Sequence, residues 1–119
     1  MILDSPKENI VENKAFEFAI RIVELYKYLS IEKKEFVLSK QLLRAGTSIG
    51  ANIAESQAAQ SRKDFIAKLS IASKEARESH YWLRLLKATG YLSKDDLLIE
   101  CDELVRLLTS IVKTTQSRV

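Results

Sequence analysis

From Phe65 to Leu86, apolar or small side chains recur at alternating intervals of four and three: Phe65, Leu69, Ala72, Ala76, Ser79, Leu83 and Leu86. That interval lines one seam of an α-helix able to pack knobs into holes against neighbouring helices. A strand turns successive side chains to opposite faces and could not gather these residues on one side. Ser61, three positions before Asp64, resembles a capping box with the shorter acid, and Gly90 is a C-terminal stop. The pattern predicts a helix over about residues 62–88.

Turn-forming residues are scarce elsewhere, with three Gly and one Pro in 119 residues, so the chain should form few, long elements. A periodic run predicts a first helix over about residues 12–29. Phe18, Ile22, Leu25 and Leu29 form one row, with Ala15 and Tyr26 beside them, and Phe16, Ile20 and Val23 form a second. A second helix is expected over about residues 34–58, with Leu38, Leu42, Ala45, Ile49 and Ile53 inside. Gly46 and Gly50 weaken it by about 1 kcal/mol each unless close backbone approach on their face compensates. Ser93 reads as the N-cap of a fourth helix over about residues 94–115, with Asp96 at its third position and a frayed tail after Lys113. Its apolar rows are Leu97, Cys101, Leu104, Leu108 and Ile111, and Leu98, Val105 and Val112. Short connections leave antiparallel packing as the geometric option, so the expected fold is all-α, a single up-down-up-down four-helix bundle over residues 1–119. The double rows on the first and last helices exceed what one bundle buries, which points to homo-oligomers.

Several function classes are disfavoured. Cys101 is the only cysteine, which excludes an internal disulfide and suggests a reducing, cytoplasmic setting. No apolar run reaches the roughly 18 residues of a membrane span, and the N-terminal residues lack the pattern of an export signal. His80 is the only histidine, and Arg77 stands where a di-iron bundle would need the Glu of Glu-x-x-His, so no metal or other cofactor is expected. Gly46 and Gly50 lie within a helical pattern with no Lys-Ser/Thr after them, which is not a phosphate loop. No triad or acid pair is recognisable, and the chain reads as non-enzymatic.

Two polar features remain. Arg44, Ser48, Asn52 and Glu55 share one face of the second helix, and folding it back on the third brings Arg44 level with Glu75. These five residues form either a solvated face or a partly buried network that fixes helix register. Between Ser61 and Gly90 the chain carries seven basic and three acidic residues, against a net charge of +3 overall. Arg62, Lys63, Lys68, Lys74 and Arg77 are candidates for contacting RNA or DNA, although the basic residues of this helix do not share one face. A ring would repeat such a cluster and make it multivalent.

The segment Gln41-Leu42-Leu43-Arg44-Ala45-Gly46-Thr47-Ser48-Ile49-Gly50-Ala51-Asn52-Ile53-Ala54-Glu55 resembles the signature of proteins encoded by intervening sequences in bacterial 23S ribosomal RNA genes. Phe65 to Glu78, Tyr81 to Leu86 and Gly90-Tyr91-Leu92 resemble that family's third helix and its end. Gly50 and Ser56 stand where the commonest form has proline and glycine. The resemblance implies a four-helix bundle assembled as a homopentameric ring, with no established enzymatic activity. It also implies a relationship to the accessory protein of diversity-generating retroelements, which binds nucleic acid and a reverse transcriptase. The expected partners are therefore further copies of the chain, with RNA or DNA or a second protein as ligand. A protein scaffold without a nucleic-acid role is the alternative.

Overall fold

The computed structural model describes residues 6–118. Among them are four helices and no strand: α1 Pro6–Ile31, α2 Leu38–Ser56, α3 Arg62–Ala88 and α4 Asp96–Ser117. Helices consecutive in the chain are neighbours in space, α1 and α4 close the square, and the backbones of the diagonal pairs stay apart. The contacts run in opposite directions: Gln57, just past the end of α2, reaches Glu12 of α1, whereas Gly46 lies against Ile22. In the same sense Arg77 and Lys87 of α3 meet Thr109 and Asp95, and Lys14 and Arg21 of α1 meet Glu103 and Glu100. The result is an antiparallel four-helix bundle 49 Å long and about 20 Å across.

The bundle closes around the rows that set its periodicity. Phe18, Ile22 and Leu29 of α1 meet Leu42, Ile49 and Ile53 of α2, Phe65, Leu69, Leu83 and Leu86 of α3, and Leu104 and Leu108 of α4 in one buried cluster. Burying a side chain of this size contributes about 1.5–3 kcal/mol, which drives the collapse. Among the described residues no buried side-chain nitrogen or oxygen lacks a partner, so the core carries no uncompensated polar cost. Buried Ser79 donates back to Glu75 O at 2.8 Å and Thr115 to Ile111 O at 2.8 Å.

The helix ends differ in how far local signals reach. The Asp64 N–H donates to Ser61 Oγ at 3.0 Å, while the Asp64 carboxylate reaches the Gln60 N–H at 3.3 Å. This is a capping box whose short acid bonds one residue earlier than a Glu would. At the other end of α3, Gly90 takes φ +90, and the Tyr91 N–H returns to Leu86 O at 2.9 Å.

Other boundaries depart from the sequence expectations. α1 begins at Pro6, well before residue 12, with proline in the first turn where its missing N–H costs nothing. α2 begins at Leu38, four residues later than expected, because Lys34 adopts φ 54 and Glu35 caps the helix from just outside it. The Glu35 carboxylate accepts from the Val37, Leu38 and Ser39 N–H groups at 3.1, 3.0 and 2.7 Å, satisfying donors that a helix start leaves free. α4 begins at Asp96 and not at residue 94, with no side-chain cap, so Ser93 is not its N-cap. The preceding Tyr91 and Leu92 pack on the core, and the Asp95 carboxylate pairs with Lys87. The tail does not fray at Lys113, since α4 continues to Ser117 with Thr115 buried.

Candidate interaction surfaces

Three surface features stand out, one along each of three helix seams. The seam between α2 and α3 carries the polar stripe. Arg44 Nη1 lies 3.1 Å from Glu75 Oε2, and its other terminal nitrogen pairs with Glu78. The Glu75 side chain is only 8% exposed, while Arg44 is 54% exposed, so one partner is buried and the other reaches over it from the rim. Trp82 Nε1 donates to Glu78 at 3.1 Å, a member that the stripe on α2 could not reveal because it comes from α3. The remaining stripe residues do not cross the seam. Ser48 Oγ donates to Arg44 O at 2.6 Å and Asn52 Nδ2 to Ser48 O at 2.9 Å, both within α2. Glu55 is exposed. The seam therefore holds a local cluster of Arg44, Glu75, Glu78 and Trp82, not a network running the length of α2.

The outer side of the α1–α2 seam is apolar. Phe16, Ala19, Thr47, Gly50, Ala51 and Ala54 line a groove of about 570 Å³, together with Glu12, Asn13 and Glu17. Phe16 is 67% exposed and Ile20, one turn further along α1, 46%. The small residues on α2 are what open this groove. Gly46 brings α2 so close that an added Cβ would stand 3.0 Å from Ile22 Cγ1 and Cγ2, and at Gly50 the nearest neighbour is the Ala15 carbonyl oxygen at 3.6 Å. Helix α4 behaves differently: its second row, Leu98, Val105 and Val112, packs partly buried against the core. Of the two surplus rows expected from the sequence, only that of α1 remains largely open.

The outer side of the α3–α4 seam is cationic and hydroxyl-rich. Arg77 leans toward α4, its Nη2 lying 3.5 Å from Thr109 Oγ1. Ser70, Ser73, Arg77, Thr109, Val112, Lys113 and Gln116 line a shallow groove of about 320 Å³. One turn along, His80 Nε2 lies 3.1 Å from Asp102 Oδ1. Lys63 and Lys74 are exposed, Lys68 shares a helix face with Glu75 and is half-buried, and Arg62 donates to Arg118 O near the C-terminal end of α4. Lys63, Lys74 and Arg77 fall on one exposed arc of α3 with Arg62 at its edge, and only Lys68 stands apart, on the side that faces α2.

Neither a metal site nor a reactive thiol emerges. Among the described residues no group of three or more His, Cys, Asp or Glu side chains converges on one point. Cys101 is buried, its Sγ 3.1 Å from Ala76 O, and burial with the Asp102 charge beside it pushes the thiol up to about 12. A thiol so raised stays protonated near neutrality and is a poor nucleophile. No helix of the described chain is long and apolar enough to cross a membrane.

The family model for the 23S rRNA-intervening sequence protein matches residues 7–110. The chain belongs to that family. A crystal structure of a protein with unknown function from the S23 ribosomal protein family of Bacteroides thetaiotaomicron VPI-5482 is 55% identical in sequence. The match covers 90% of this chain and 98% of that one, with a TM-score of 0.88. Among curated proteins there is no significant match. The family assignment carries the bundle with it, and the function of the Bacteroides relative is itself unknown.

Proposed function

We propose that this protein is a non-enzymatic cytoplasmic adaptor that assembles with copies of itself through the α1–α2 groove and presents basic residues to RNA or DNA. The observation that carries the assembly is Phe16, 67% exposed beside a surface of Gly50, Ala51 and Ala54. An aromatic ring left in water forgoes about 1.5–3 kcal/mol that a partner surface would recover, and small residues let a second helix approach closely. A homopentameric ring is the assembly that the family resemblance implies. Relationship to the accessory protein of diversity-generating retroelements, and hence contact with nucleic acid, belongs to the same reading.

Light scattering of the purified protein at micromolar concentration tests the assembly. The expected result is an oligomer for the wild type and a helical monomer for Phe16→Glu, whose charge would be stranded in the interface. A monomeric wild type overturns the reading. The mild net charge of +3 favours a second reading, a protein scaffold without a nucleic-acid role. Gel-shift titration with structured RNA and duplex DNA at two salt concentrations separates the two. Salt-sensitive binding supports the adaptor, and no binding at low salt supports the scaffold.

A further inference from the structure

The ion pairs of the bundle leave one cationic groove without a carboxylate. Lys14, Arg21, Arg44 and Lys87 are each held by an acidic side chain across a seam or a turn. Arg77 and Lys113 are not among the paired cations of the described residues, yet they line the same α3–α4 groove. Around them stand the hydroxyls of Ser70, Ser73 and Thr109 and the amide of Gln116, with Val112 completing the lining. No carboxylate lines the groove; Asp102, which shares the adjoining pocket with Arg77, is engaged with His80. A guanidinium fork, an ammonium and neutral donors without a competing acid are the groups that hold a phosphate oxyanion.

We infer that the groove lined by Arg77, Lys113, Ser70, Ser73 and Thr109 binds phosphate oxyanions. Arg77 supplies a fork fitted to two oxygens of one phosphate, and Lys113 supplies a point charge from the opposite wall. The hydroxyls complete the shell by donating to oxygens that the cations leave uncovered. A volume of about 320 Å³ admits a phosphate with part of its attached sugar, but the shallow shape leaves the rest of the ligand outside. The phosphate can therefore come from a nucleic-acid strand laid along the seam or from a small phosphorylated molecule. For the strand, the inference rests on the nucleic-acid contact proposed above and names its place. It selects Arg77 from the five basic candidates and adds Lys113, which lies on α4 outside the basic stretch of the sequence.

Binding of a single-stranded RNA oligonucleotide, followed by fluorescence anisotropy, and of inorganic pyrophosphate, followed by calorimetry, tests it. Arg77→Gln with Lys113→Gln should weaken RNA binding about tenfold or more and lower the slope of log affinity against log salt by about one. Lys27→Gln with Lys40→Gln, of equal charge change at two exposed lysines outside the candidate set, should shift affinity by no more than about twofold. The single variant Lys113→Gln, which has no ion pair to lose, guards against damage to the fold and should show part of the loss. Equal weakening by the two double variants overturns the groove and leaves the nucleic-acid reading standing. Pyrophosphate binding that depends on Arg77 and Lys113, without RNA binding, keeps the groove and overturns that reading. Failure of the wild type to bind either ligand overturns both.

Discussion

Gly46 and Gly50 lie one turn apart on the same helix, but an added methyl meets different surroundings at each. A Cβ at position 46 would press at 3.0 Å on two carbons of Ile22, which is itself fully buried, so that the side chain would have to shift within a close-packed core. At position 50 the nearest atom is at 3.6 Å, an ordinary contact. Alanine is favoured over glycine by about 1 kcal/mol in a helix interior, so Gly50→Ala should stabilise the fold by up to that amount. At Gly46 the same gain is opposed by overpacking of about 1–3 kcal/mol, and Gly46→Ala should be neutral to destabilising. Urea unfolding of both variants at matched protein concentration reads the contrast, and equal shifts in the same direction would contradict it.

At the scale of the element, Glu35 decides where α2 starts. Burial on its own would raise its carboxyl, but the N–H groups of Leu38, Ser39 and Val37 prevail and hold it below the ordinary value of 4.5. A folded pKa below the unfolded one means stabilisation that is complete above about pH 4.5 and lost as pH falls through the depressed folded value. Glu35→Ala should therefore cost about 0.5–2 kcal/mol at neutral pH, the range for losing an N-terminal cap, and less in acid. Chemical denaturation at pH 7 and pH 3 checks it, the gap between wild type and variant narrowing at the lower pH. The cap was hidden in the sequence because Glu35 precedes the helix by three residues, and its role depends on Lys34 taking φ 54. By contrast, Ser61, Asp64 and Gly90 announced both ends of α3, because those signals act through bonds to residues only a few positions away.

The molecule as a whole is closed unevenly. The α2–α3 pair has the most extensive contact and the α1–α4 pair the least. Along that thinner seam Arg21 pairs with Asp96 and Glu100, and Lys14 with Glu103. The Arg21 hydrogen bond outweighs desolvation and holds the Asp96 carboxyl low, so this seam also loses stabilisation as pH falls through the folded value of Asp96. Such solvent-screened pairs hold the seam only weakly, and it should open before the core does. Arg21→Ala should speed amide hydrogen exchange in the first turns of α4 while leaving the centre of α3 unchanged. A uniform change across all four helices would show that the bundle opens only as a unit.

Helix number, the seam residues of α3 and the antiparallel order were determined by the sequence itself, because periodicity and short connections act locally and leave one way to bury the apolar rows. The family was legible for the same reason, in the continuous run from Gln41 to Glu55. Tertiary structure alone decided the surfaces. It closed the outer row of α4 against the core while leaving Phe16 of α1 open, joined Arg44 to Glu78 and Trp82 as well as Glu75, and set Lys113 beside Arg77. Those outcomes depend on how far each helix is rotated about its own axis against its neighbours. That rotation is fixed by the packing of all four helices together, so no single stretch of chain encodes it.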